Sequence, residues 1–378
     1  MSDFDLIGPL CKSAELPALG DQSAAAQNAQ QAAHKSLVED TLKRRSERNR
    51  SFVRGHKECA PDYVVSASLL AAVNVALSLG RPLLLTGEPG SGKTLAAFWL
   101  AHVLDLGEVL QFDVKSESRA QDLLYSFDAV SWFRESQAAA ISGSKEKIDK
   151  TKHLYPGVLG RAFGWSADPE RLSVVLIDEI DKAPRDFPND LLLELDQMRF
   201  RVAEDNNREV ICPDGRRPIV VITSNQERRL PDPFLRRCVL HEIKLDDDTI
   251  VKILMSHLAA VRADSMLSGP ALTQADAQAL AEGENAIIKA ALPIWTAVKK
   301  IKLGQIYTID QFWRWLGLAA YDLRTAPELE KLAKALEDRD LRSDLLHSQT
   351  LFSEADLKAI EISLPRTGAE PRNSAVIQ

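Results

Sequence analysis

The sequence predicts an α/β fold in which a parallel sheet flanked by helices is followed by a small all-helical domain. Three observations carry this. Val174-Val175-Leu176-Ile177 and Ile219-Val220-Val221-Ile222-Thr223 are nearly continuous apolar runs, the pattern of strands covered on both faces. Helical patterns alternate with such runs, as crossover connections between parallel strands require. After about Asp246 the strand signal stops and only helical patterns follow.

Taken in order, the folded core begins near Tyr63. Leu69, Leu70, Val73, Ala76 and Leu77 recur at helical spacing, and Gly80-Arg81-Pro82 ends that helix. Leu83-Leu84-Leu85 is a strand that runs into a Gly-rich turn and then a helix over 95–100. Residues 109–114 read as a second strand, 122–133 as a helix and 142–152 as a polar interruption. The 174–177 strand is followed by a helix over 187–198. A hairpin is expected from 199–202 and 208–211, with Asp214-Gly215 turning the chain out of it. Helices are expected at 249–261, 273–291, 309–323 and 326–336, and a disordered tail at 365–378. Before the core, 23–33 is an Ala/Gln run without an apolar stripe. It leads into a basic stretch of Lys43, Arg44, Arg45, Arg48, Arg50, Arg54 and Lys57, which reads as a solvated arm or a partner-binding segment.

Composition removes several function classes. Of 378 residues, 45% are apolar and 27% charged, as in ordinary globular chains, and the length suits one large domain with a smaller one. A net charge of −7 gives no overall attraction to nucleic acid or acidic lipid. The four cysteines, Cys11, Cys59, Cys212 and Cys238, lack zinc-site or disulfide-framework spacing and suit a reducing, cytoplasmic setting. No apolar run is long enough for a membrane span, and no signal pattern opens the chain.

The chemistry concentrates in Gly87-Glu88-Pro89-Gly90-Ser91-Gly92-Lys93-Thr94. Gly87, Gly92, Lys93 and Thr94 match G-x-x-x-x-G-K-[ST], the nucleotide-binding P-loop, with a strand before it and a helix after it. Glycines let backbone N–H groups wrap around phosphates, and the helix directs its positive end at the same anions. Lys93 would neutralise β/γ-phosphate oxygens, and the Thr94 hydroxyl would ligate Mg²⁺. The alternative is a strand–turn–helix with chance glycines and an exposed lysine. Asp178 and Glu179 end the 174–177 strand, at the sheet edge where ligands bind. There Asp178 would serve the Mg²⁺ shell and Glu179 would polarise the attacking water. An apolar run ending in Asp-Glu is weak alone; its position after Thr94 in an alternating α/β pattern gives it weight. Asn225 ends the next buried strand and could bond a γ-phosphate or the water, or simply terminate the strand. Arg236 and Arg237 follow Leu230-Pro231-Asp232-Pro233-Phe234-Leu235; adjacent arginines are ordinarily surface residues.

Together these residues resemble the AAA+ ATPases over roughly 60–325, and most of all their MoxR-like branch, a relative of dynein- and McrB-type enzymes. Subgroup matches are Gly80-Arg81-Pro82-Leu83-Leu84-Leu85, Asp122-Leu123-Leu124-Tyr125, Leu159-Gly160-Arg161-Ala162-Phe163, Asp178-Glu179-Ile180-Asp181-Lys182-Ala183 and Asp186-Phe187-Pro188-Asn189-Asp190-Leu191-Leu192. The resemblance implies that 87–94 is Walker A, that Asp178 and Glu179 end Walker B, and that Asn225 is sensor 1. It places the arginine finger at Arg236 or Arg237. It also implies an insertion before the Walker B strand at 128–168 and a hairpin before sensor 1 at 199–211. The sensor 2 arginine has no clear equivalent around 307–315, with Arg314 and Lys302 as substitutes. The implied division is an N-terminal helical or flexible arm (1–58), a P-loop NTPase domain (59–245), a helical lid (246–345) and a C-terminal extension and tail (346–378).

Two function classes follow. One is a ring-forming, hexameric ATPase using ATP and Mg²⁺ to remodel a partner protein, with an adaptor of the von Willebrand A-domain type as a family expectation. A finger supplied by a neighbour would leave the monomer nearly inactive. The other is a nucleotide-driven motor subunit of a nucleic-acid-targeting restriction or defence system, motivated by the basic arm and the arginines of 199–217. Net acidity argues against the second.

Overall fold

The computed structural model describes residues 55–141, 149–165, 172–266, 274–300, 326–338 and 354–364, with single positions at 35, 36, 39, 311, 312 and 316. Backbone contacts separate a compact unit, His56–Thr249, from a second unit that holds the C-terminal helices. The Ala/Gln run, the basic residues up to Arg54, the sensor 2 region with Lys302 and Arg314, and the 365–378 tail lie outside the described residues.

The first unit opens with α1 (His56–Cys59) and α2 (Ala67–Leu79). Ser66 caps α2 by accepting from the Leu69 amide at 3.1 Å, and Gly80, at φ 58°, closes it. Then come β1 (Leu83–Thr86), α3 (Lys93–Val103), β2 (Leu110–Asp113), α4 (Ala120–Leu124), β3 (Tyr125–Phe127) and α5 (Ala129–Ile141). They are followed by β4 (Leu154–Pro156), α6 (Val158–Ala162), β5 (Val174–Asp178), α7 (Phe187–Asp190) and α8 (Leu192–Gln197). The unit continues through β6 (Arg199–Val202), β7 (Arg208–Ile211), β8 (Ile219–Ser224), α9 (Asp232–Leu235) and β9 (Val239–Glu242).

Five strands form one parallel sheet in the order β2-β5-β8-β1-β9. The apolar runs are explained by this sheet, because side chains alternate between two cores. Leu83, Leu85, Val174, Leu176 and Val221 pack with Leu69 and Val73 of α2 and Ala97 and Leu100 of α3. Leu84, Val175, Ile177, Val220 and Ile222 face the other side, against Leu123, Leu159, Phe187, Leu191 and Phe234. The register sets β1 beside β8 with Thr86 level with Ser224, and β2 beside β5 with Asp113 level with Asp178. The strands' C-terminal ends therefore form one edge.

Three local features differ from the sequence expectation. The helix expected at 122–133 is interrupted by β3, which pairs antiparallel with β4; residues 142–148 of the polar interruption lie outside the described residues. The helix expected at 187–198 breaks into α7 and α8 at Leu191. The edge strand β9 is an additional element whose alternating burial left no continuous apolar run to read. The expected hairpin is present as antiparallel β6 and β7.

In the second unit, α10 (Asp247–Met266), α11 (Gln274–Lys300), α12 (Ala326–Glu337) and α13 (Glu354–Ser363) are all helical. α11 runs longer than expected and through Pro293. Its buried Ile287, Ala291, Ile294 and Trp295 explain its retention as one helix, since packing can outweigh the lost amide. Gly283 allows α12 to approach closely: a Cβ there would lie 2.9 Å from Leu329 Cβ.

A Cβ at Gly160 in α6 would lie 2.2 Å from the Leu124 carbonyl oxygen, a backbone atom that cannot rotate away. Gly160→Ala should therefore lower unfolding stability by about 1–3 kcal/mol. A urea midpoint equal to wild type would show that α6 and α4 pack less tightly than this geometry requires.

Candidate functional site

The site lies at the C-terminal edge of the sheet. β1 ends in the P-loop, β5 ends in Asp178 and β8 ends just before Asn225; β8 lies between the other two. Three segments far apart in sequence are thus brought together by strand order alone.

The loop that follows β1 depends on glycine at two places. Gly87 has φ 147°, and a Cβ there would meet the Ile243 carbonyl oxygen at 2.7 Å. Gly92 has φ 87° and caps α3, with the Tyr63 ring 3.2 Å from where its Cβ would be. Past Gly92, the first turn of α3 leaves N–H groups without intrahelical acceptors at the loop's centre. Among the described residues, the buried Ser91 hydroxyl has no hydrogen-bond partner. Free amides, a helix N-terminus and an unpartnered hydroxyl fit an anion in this cradle. Glu88, Pro89 and Gly90 complete the loop, with Gly90 at φ 77°.

Lys93 is buried, and its ammonium donates to the carbonyl oxygens of Gly87 (3.0 Å) and Glu88 (2.9 Å). It is thereby folded across the loop whose anion it would meet. Burial pushes its pKa down, and the carboxylates of Asp178, Asp181, Glu179 and Glu88 oppose that shift.

Asp178 joins the segments. Its carboxylate accepts from the Thr94 hydroxyl at 3.0 and 3.1 Å and from the Thr223 hydroxyl at 2.5 Å. A hydroxyl and a carboxylate in contact beside a phosphate cradle form a hard-oxygen donor set that suits Mg²⁺, which takes few protein ligands and completes its shell with phosphate and water. Thr94 and Asp178 would hold it. Among the described residues no group of three or more His, Cys, Asp or Glu could hold a metal by itself.

Glu179 follows immediately, in the left-handed conformation (φ 58°, ψ 50°). Such backbone is costly for a non-glycine residue and persists where surroundings fix it. Its amide donates to Thr223 Oγ1 at 2.8 Å, and its Oε1 accepts from Asn225 Nδ2 at 3.1 Å. Its Oε2 accepts from Lys182 Nζ.

The structure brings Gly87 to Thr94, Asp178, Glu179 and Asn225 into one cluster. Arg236 and Arg237 stand apart, between α9 and β9. Arg237 Nε pairs with Asp196 at 2.5 Å, and its Nη1 donates to the Pro233 carbonyl oxygen at 3.0 Å. Arg236 is exposed, and its carbonyl oxygen accepts from Arg81 Nη1 at 3.4 Å. Among the described residues, neither arginine bonds to the P-loop, Asp178 or Glu179.

Three residues gained a role only from the structure. In the sequence Thr223 only ends a strand, yet its hydroxyl connects Asp178 to the Glu179 amide. Asp181 is buried, and its two oxygens accept from the amides of Asn225 (3.2 Å) and Glu227 (3.0 Å), which fixes the loop after β8. Lys182 reaches back to Glu179. The only sequence signal was their place within or beside the motifs.

Residues 82–238 match the family model described as an AAA domain of the dynein-related subfamily. The matched segment runs from just before β1 to just before β9 and contains every site residue above. No curated protein matches the chain. The match and the five-stranded sheet support an AAA+ ATPase and nucleotide binding. No single helix among the described residues is long and apolar enough to cross a membrane.

Asp181→Ala would leave two amides without their acceptor. It should cost about 1–3 kcal/mol of stability and slow nucleotide turnover, because Asn225 loses its anchor. Nucleotide affinity, set at the P-loop, should change little. Thermal unfolding and a fluorescent-nucleotide titration check both halves; an unchanged melting midpoint would refute the anchoring role.

Proposed function

We propose that this chain is a ring-forming, Mg²⁺-dependent ATPase of the MoxR-like branch that remodels a partner protein. The observation that supports it most is the meeting of Lys93, Asp178, Glu179 and Asn225 at one sheet edge, with β8 between β1 and β5. In this reading the P-loop amides and Lys93 bind the triphosphate, Lys93 leaving the carbonyl oxygens of its own loop for phosphate oxygens. Glu179 accepts a hydrogen bond from the attacking water, and Asn225 keeps its carboxylate in place. Mg²⁺, when bound, would neutralise charge on the phosphate oxygens. ATP is the family expectation for the nucleotide.

The ring, a hexamer by family resemblance, follows from the arginines. Among the described residues neither bonds to the site of its own chain, which suits a finger that acts on a neighbour. Arg237 is engaged with Asp196, whereas the Arg236 side chain has no hydrogen bond or ion pair among the described residues, so Arg236 is the stronger choice. A client or adaptor, such as a von Willebrand A-domain protein, would be the partner that ATP turnover remodels. The nucleic-acid motor is the weaker reading: Arg199, Arg201 and Arg208 of the hairpin pair with Glu209 or Asp205 rather than presenting free charge.

Glu179→Gln should bind ATP and hydrolyse it very slowly, because an amide cannot accept the water's proton as a carboxylate does. Light scattering after size exclusion should then show an assembly that ATP holds together. Wild-type turnover in this variant would remove Glu179 from the chemistry.

Arg236→Ala should bind ATP almost normally and lose about 10³–10⁵ in rate if a finger here is worth what it is in the GTPase comparison. Mixed with Glu179→Gln, it should regain activity where a finger-less site meets a neighbour with an intact finger. Recovery should peak at an intermediate mixing ratio. A flat curve with co-assembly established would mean the arginine does not act in trans.

A further inference from the structure

Glu179 has two carboxylate oxygens, and the structure gives each a donor. Oε1 takes the Asn225 amide at 3.1 Å; Oε2 takes the Lys182 ammonium. A carboxylate that polarises water must accept that water's hydrogen bond at one of these oxygens. An ammonium on the same oxygen competes for its lone pairs and draws off its negative charge. Asn225 does neither to the same degree, because its amide carries no net charge.

The backbone enforces this contact. Glu179 in its left-handed conformation starts a short 3₁₀ turn, Ile180–Lys182, which returns the side chain three residues on toward Glu179. The turn is held by buried Asp181 through the amides of Asn225 and Glu227. Yet the pair itself is open to solvent: the Lys182 side chain is 43% exposed and that of Glu179 38%. Water screens such a pair, so it is weakly held and opens readily. The Lys182 pKa is raised, chiefly by the bond to Glu179, and Glu227 and Asp181 also act on the ammonium. When Lys182 leaves Glu179 it therefore has other carboxylates close by.

We propose that Lys182 is a positioning residue that restrains Glu179. It occupies Oε2 in the resting site, and hydrolysis proceeds when it lets go. The inference rests on the reading of Glu179 as the group that polarises the attacking water. A partner, or the neighbouring subunit, that draws Lys182 away would then accelerate turnover without touching the nucleotide.

The test compares Lys182→Met, which keeps the length and removes the charge, with Lys182→Arg, which keeps the charge. Lys182→Met should raise kcat about two- to fivefold, the range open to an exposed ion pair, with KM for ATP and fluorescent-nucleotide affinity unchanged. Lys182→Arg should stay near wild type. A second readout needs no nucleotide: in protein labelled with ¹³Cε-lysine, the Lys182 resonance should titrate above ordinary lysine, and this elevation should vanish in Glu179→Gln. A kcat in Lys182→Met equal to or below wild type would overturn the restraint, as would a Lys182 titration indifferent to Glu179→Gln. If wild type and Lys182→Met both fail to hydrolyse ATP, the functional reading of Glu179 falls, while the titration still decides the contact.

Discussion

The site hangs on the Asp178 carboxylate. It accepts from Thr94 at the start of α3 and from Thr223 at the end of β8, while standing at the end of β5. One crossover helix and two strands of the parallel sheet are therefore pinned at one anionic point. The Thr223 hydroxyl also accepts the Glu179 amide, so one side chain fixes both the carboxylate that would face a metal and the backbone of the next residue. A hydroxyl is the smallest group that can donate to one partner while accepting from another, and a valine in its place would supply neither bond. The left-handed backbone of Glu179 is explained by this arrangement. Asp178 and Thr223 hold one side of the turn and Asp181 the other.

Much of this was legible in the sequence. Parallel strands buried on both faces must be apolar throughout, so 174–177 and 219–223 announced themselves. The P-loop was legible because a backbone cradle for phosphate needs glycines at fixed places; Gly87 and Gly92 have the positive φ angles that this demands. What was not legible depended on pairings between distant residues. β3 exists because β4 pairs with it, and 125–127 alone reads as a continuing helix. β9 lies at the sheet edge, where half of its side chains face solvent and the apolar run disappears. Asp181 and Lys182 look like ordinary charged residues until the loop after β8 and the turn after β5 are placed together.

The arginines show a limit of motif position. Both follow Pro231-Asp232-Pro233-Phe234, and nothing in the sequence ranks them. The fold separates them by occupation. Arg237 spends its guanidinium on Asp196 and the Pro233 carbonyl oxygen, contacts that steady α9 against α8, whereas the Arg236 side chain is left outward. A guanidinium already engaged must give up its bonds before it can act on a neighbour, and an outward one need not.

The charge balance of the site leads one step further. Around Lys93 stand Asp178, Asp181, Glu179 and Glu88, four carboxylates against its one ammonium, with Lys182 on the rim. Such a pocket is a poor host for a bare polyanion. On the proposed reading, a divalent cation arriving with the phosphates would offset the acids that repel them. The same excess of negative charge opposes the downward shift that burial gives the Lys93 pKa. It also explains why Lys182 is drawn to Glu179, the carboxylate closest to solvent in the turn it begins. Buried Asp181 has its oxygens taken by amides, and Asp178 has its own taken by hydroxyls. Of the three acids at and just after the end of β5, Glu179 is left with an oxygen open to a mobile cation, and that openness is also what a water-polarising group requires.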